Sequence, residues 1–177
     1  MMIMLARRYL ASAPSQSLLR SLSGLGRDVA GADTSSEKTN PFHDAVERGD
    51  VDDVRRFLQE GTSDAVVYMV NSGDPQRANT TPLHLASRRG HIDLVQLLIA
   101  HEAHVDARGA WNLTPLMYAA VFDQPAVASL LLESGADASL VDAKGKTALD
   151  HAISEKKSAV VAVLRQHSSS STTTTTT

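Results

Sequence analysis

Apolar positions in residues 81–102, TPLHLASRRGHIDLVQLLIAHE, fall at the spacing of two short consecutive helices. Thr81 is placed to cap the first, and Pro82 then occupies the first helical position, where a missing N–H costs nothing. Leu83, Leu85 and Ala86 give that helix an apolar side as far as Gly90, which can take the left-handed conformation that ends a helix. In the second helix Ile92, Leu94, Val95, Leu97, Leu98 and Ile99 cover more than one narrow stripe, so it must be buried on several sides. An isolated helix pair cannot do that.

Neighbouring pairs can, and the chain supplies them at a fixed interval. Thr114, Pro115 and Leu116 repeat Thr81, Pro82 and Leu83 after 33 residues, and Thr147, Ala148 and Leu149 repeat them after another 33. Leu97, Leu98 and Ile99 return as Leu130, Leu131 and Leu132, and Ala86 returns as Ala119 and Ala152. TPLHLA with this period, GH between the helices and a following SGADASL segment resembles the ankyrin repeat. The resemblance implies an all-α solenoid of about four helix-turn-helix units joined by β-hairpin-like finger loops, over residues 40–79, 80–112, 113–145 and 146–167.

The end units depart from the central one in a consistent way. Asp44 and Arg56 stand at the Leu85 and Leu97 positions of the first unit, and His151, Lys156, Lys157 and Arg165 replace Leu85, Gly90, His91 and Ile99 in the fourth. Such substitutions make the ends of a stack wettable. In the third unit Met117 replaces His84 and Asp123 replaces Gly90, which predicts a lost hydrogen bond and a less ideal helix end. The connection from Gly61 to Thr81 is 20 residues against 12 from Gly135 to Thr147. Its AVVYMV run is expected to lengthen the first finger, either packing on the first helix pair or serving as an inserted binding element.

Composition and charge add a second layer. Residues 1–27 contain four Arg, five Ser and neither Asp nor Glu, the character of a mitochondrial presequence, with Leu18, Leu22 and Leu25 on one side of a helix. A polar linker follows over 28–39, and the chain ends in a low-complexity Ser/Thr segment, 168–177, expected to be disordered. After residue 27 the chain carries 13 of its 17 Lys and Arg against all 20 of its Asp and Glu, so nucleic acid is not the expected partner. There is no membrane-spanning run and no cysteine, hence no disulfide or thiolate chemistry.

Among seven histidines, His43 and His84 share one helix position, where the resemblance implies a structural bond to the neighbouring turn; His101 and His104 read as surface residues. No phosphate loop, HExxH or nucleophile elbow occurs, so neither a catalytic residue, a metal nor a cofactor is expected.

The resemblance places partner contacts at finger tips and on the exposed end of each first helix. In the third unit these are Ala110, Trp111, Leu113, Val121 and Phe122, all apolar; Arg77, Arg88 and Arg89 flank them from the second unit, Lys144 and Lys146 from the fourth. The expectation is a monomeric, non-catalytic scaffold or adaptor in mitochondria, on which Trp111 and Phe122 anchor an acidic partner segment. The alternatives are a cytosolic or nuclear regulator masking a partner surface, and a structural subunit of a mitochondrial complex.

Overall fold

The computed structural model describes residues 40–170. The segments expected as presequence and linker lie outside the described residues, as do residues 171–177. Within the described residues nine α-helices succeed one another: α1 Pro41–Arg48, α2 Val51–Glu60, α3 Ser63–Asn71, α4 Pro82–Arg89, α5 Ile92–Ala100, α6 Pro115–Val121, α7 Pro125–Glu133, α8 Ala148–Ser154 and α9 Ser158–Ser170. The pairs α1–α2, α4–α5, α6–α7 and α8–α9 are the four expected units, and the fold is the expected all-α solenoid. The first helices α1, α4, α6 and α8 pack side by side in that order, as α5, α7 and α9 do behind them.

Capping groups set where the first helices begin. Asn40 accepts from the Phe42 N–H at 3.1 Å, Thr114 from the Met117 N–H at 3.3 Å, and Thr147 exchanges bonds with Asp150. Gly49 and Gly90 end α1 and α4 at φ 81° and 79°. Glycine is required there for space as well as conformation: a Cβ on Gly49 would come within 2.6 Å of the His91 ring, and one on Gly90 would strike the Gln124 amide. Asp123 and Lys156 take the equivalent left-handed position at φ 58° and 56°.

The core runs continuously along the stack through Phe42, Val46, Val54, Leu83, Leu94, Leu98, Leu116 and Leu131, each at most 1% exposed. Met117, at the third unit's His position, is also 1% exposed, so an apolar side chain fills the space where a hydrogen bond was lost. The Ser87 hydroxyl is buried on α4 and meets no hydrogen-bond partner among the described residues, while the same position on α6 is Ala120. Replacing Ser87 by Ala removes the desolvation cost and is expected to raise stability by about 1 kcal/mol, read as a later urea midpoint.

Two sequence expectations need correction. The AVVYMV run forms no β-finger; it lies in α3, with Val66 and Val70 buried one helical turn apart and Tyr68 facing solvent. The run does not alternate polar with apolar, and burial at i and i+4 prevails over the strand preference of valine. Asn71 then ties the helix end to the next unit, donating to Glu102 O at 2.9 Å and accepting from the His104 N–H at 2.7 Å. Among the described residues the fingers contain no strand: a single antiparallel bridge, Asp74 to Thr80, stands in the first, and tight turns form the rest. α9 also reaches Ser170, so the first three residues after His167 are helical.

Candidate functional site

The histidines at the start of the first helices are structural parts. His84 is fully buried; its Nδ1 accepts from the Thr81 N–H at 3.2 Å, so Nε2 carries the proton and donates to Leu113 O at 2.9 Å, across to the next unit. Burial lowers its pKa to about 4, against the opposing pull of the Leu113 and Ala107 carbonyls. His43 shares only the Nε2 bond, donating to Ser72 O at 3.1 Å, while its buried Nδ1 meets no partner among the described residues; burial lowers its pKa as well. Both rings are buried; His84 joins the second unit to the third, whereas His43 ties the first helix to its own unit's finger. His104 is exposed and His101 half-buried.

Beside them the finger of the third unit presents the expected aromatic. Trp111 sits at the tip, 74% exposed. Its backbone lies in the left-handed region at φ 56°, followed by Asn112 at 59°. Trp111 O accepts from Ala143 N–H at 2.9 Å, and Arg108 donates to Asn112 O and Val141 O at 2.8 and 2.7 Å, fixing this finger to the next. A bulky residue in that conformation costs roughly 1–2 kcal/mol, and its exposed indole returns little of it within the fold.

Phe122 lies at the other end of α6, 45% exposed, in a row of rings. Tyr118 stacks against it with centroids 6.2 Å apart and meets His84 edge-on at 5.2 Å; the Arg88 guanidinium covers the Phe122 ring at 5.4 Å from its centroid. Leu113 packs against the core instead of facing a partner, and Ala110 and Val121 are half-buried.

The positive flank from the second unit is already engaged. Arg77 reaches Asp44 at 2.7 Å, Glu47 at 2.8 Å and Asp74 at 3.6 Å. Arg89 and Arg88 lie 2.7 and 3.8 Å from Glu47. The Arg89 hydrogen bond, opposed by partial burial and aided by the fields of Arg77 and Arg88, holds the Glu47 carboxyl below its ordinary value. Arg77, Arg88 and Arg89 therefore join the first unit to the second, and their charge is largely neutralised before any partner arrives.

Lys144 and Lys146 are exposed, with no ion pair among the described residues; their backbone N–H groups donate to Asp142, which also takes a bond from His151 at 3.0 Å. Those bonds, led by Lys146 N–H, hold the Asp142 carboxyl below its usual range. The residues missed from sequence are Tyr118, Val141 and the acids Asp44 and Glu47. The acids could have been found, since both stand on the same face of a helix whose counterpart one unit on carries Arg88 and Arg89. Among the described residues no group of three His, Asp or Glu side chains could hold a metal ion.

A family model described as ankyrin repeats matches three overlapping segments, residues 9–109, 42–142 and 106–175. Similar proteins include Rabankyrin-5 of Homo sapiens, 32% identical over 131 residues covering 72% of this chain and 10% of that protein. A palmitoyltransferase of Lachancea kluyveri is 31% identical over 124 residues, 70% of this chain and 16% of its own length. Ankyrin repeat and SOCS box protein 11 of Mus musculus is 34% identical over 114 residues, 64% and 32%. The chain thus spans less than a third of each relative.

Proposed function

The chain belongs to the ankyrin-repeat family, and from that premise we propose that it is a non-catalytic scaffold holding a protein partner against the finger tips and first helices of its central units, in mitochondria. Ankyrin repeats carry protein–protein interaction, and their fold is generally non-catalytic. The observation that carries the finer reading is Trp111, a large apolar side chain 74% exposed on a strained backbone. The same left-handed pair stands one unit earlier at Ala78 and Asn79, so it belongs to the finger turn; what is particular to the third finger is that the turn carries a large apolar ring out to solvent. Phe122, flanked by Arg88 and Tyr118, supplies the second anchor.

Because Arg77, Arg88 and Arg89 are matched by Asp44, Glu47 and Asp74, apolar burial supplies the affinity and charge contributes mainly at Lys144 and Lys146. The mitochondrial part rests on residues 1–27, rich in Arg and Ser and free of acid.

Proximity labelling from a C-terminal fusion of the full chain tests both parts. Mitochondrial neighbours and a mass short by the presequence are expected, and Phe122→Ala should lose a subset of those neighbours in a domain that remains folded. Cytosolic or nuclear neighbours with an intact N-terminus would discard import; an unchanged neighbour set with Phe122→Ala would remove Phe122 from the interface.

A further inference from the structure

Arg108 is exposed, yet its guanidinium is committed to backbone. One nitrogen, Nη1, donates both to Asn112 O at 2.8 Å and to Val141 O at 2.7 Å. The first oxygen belongs to the turn that carries Trp111, the second to the next finger. Trp111 O itself accepts from the Ala143 N–H at 2.9 Å. Three hydrogen bonds thus tie together two fingertips one repeat apart, with Asn112 O and Val141 O within two hydrogen-bond lengths of each other. An arginine in solvent gives up rotamer freedom to make such bonds.

Comparison along the stack separates this arginine from the turn beneath it. Counted back from the Thr that opens each first helix, the Arg108 position is Pro75 in the preceding finger and Val141 in the following one, and neither has a side-chain donor. Ala78 and Asn79 nevertheless make the same left-handed pair as Trp111 and Asn112, so the turn itself does not require the arginine. What differs is the side chain at the tip. The finger without an arginine carries Ala78; the finger with one carries the indole.

We propose that Arg108 is a positioning residue for the partner surface: it locks the Trp111 turn to the next finger and so joins Trp111 and Val141 into one platform, on which Val141 is a further apolar contact. This rests on the reading of Trp111 as an anchor. Val141 is 45% exposed, and the bond from Arg108 falls on its carbonyl, leaving its side chain free of that contact. Lys144 and Lys146, exposed and without an ion pair among the described residues, follow it in the same finger. Ordering a loose fingertip opposes binding, whereas a tip already bonded to its neighbour needs little further ordering. The platform fits a protein segment that presents two apolar side chains together with acid beside them, the acid on the Val141 side because the arginines of the second unit are already paired.

Backbone N–H order parameters of the full chain, measured by NMR relaxation, read the lock without a partner. Trp111 and Asn112 should show the rigid value of about 0.85 in the wild type and fall below about 0.6 in Arg108→Ala, while the Ala78–Asn79 tip stays as it was. Arg108→Lys should lie between, since a flexible ammonium reaches these carbonyls but holds them less firmly. Val141→Ala keeps the backbone carbonyl, so the order parameters should not change; in proximity labelling it should nevertheless reduce the Trp111-dependent neighbours by about threefold, as Arg108→Ala should. Order parameters that stay near about 0.85 in Arg108→Ala would overturn the lock. Neighbours kept in Val141→Ala but lost in Trp111→Gly would overturn the platform, and neighbours kept in Trp111→Gly as well would overturn the anchor reading and the proposal with it.

Discussion

Lowering the pH from about 7.5 to about 4.5 is expected to remove about 2.5 kcal/mol of stability through His84 alone. The sign is set by burial. In the unfolded chain His84 titrates near 6.5, whereas the folded ring stays neutral down to about 4. Above 6.5 neither state holds the proton and nothing is lost; as pH falls between these two values the unfolded state gains it alone. His43, also lowered, adds to the loss in the same direction. Glu47 and Asp142, whose folded carboxyls are lowered, contribute stability above the ordinary carboxylate range and lose it at still lower pH, so the histidines act first. Urea titrations at the two pH values check this. With His84→Gln the domain should be weaker at pH 7.5, yet more than half of the pH effect should vanish; the wild-type slope retained in that variant would place the titration elsewhere.

Arg77→Ala is expected to destabilise the domain by about 2 kcal/mol. Arg77 is 27% exposed and gathers Asp44, Glu47 and Asp74, the last only 5% exposed, so truncation leaves three acids around the space of one cation. Lys at this position should recover only part of the loss, because a single ammonium cannot fork between carboxylates on α1 and in the finger. Lys144→Ala, by contrast, should change stability by less than about 0.5 kcal/mol. Equal, small effects of the two alanine variants in urea titrations would return Arg77 to the partner surface on which the sequence placed it.

That relocation marks the boundary of what the sequence carried. The bonding role of His84 came from the resemblance to the ankyrin repeat; the four units and their Thr-Pro starts were legible because each rests on local chemistry repeated at a fixed period, a cap and a preset φ. The α3 helix was not, since valines favour strands locally and only their burial on the neighbouring helix decides otherwise. Register placed Trp111 and Phe122 correctly on the exposed surface, because register dictates which side of a helix or finger faces out. It could not say that the arginines beside them were already paired, which depends on acids 30 to 45 residues upstream that only the stacking of α1 on α4 brings within reach. Leu113 stands between the two cases, its carbonyl bonded to His84 and its side chain partly buried against the core.

The central claim is that the exposed Trp111 indole, carried on a left-handed finger turn, anchors a partner, and Trp111→Gly addresses it directly. Glycine adopts φ 56° without strain, so the variant should raise the urea midpoint, by about 1 kcal/mol of stability, and at the same time lose the neighbours that proximity labelling assigns to the wild-type chain. Higher stability with loss of neighbours is the predicted result. An unchanged neighbour set in a folded Trp111→Gly chain would contradict the account, leaving the indole as an exposed side chain without a binding role.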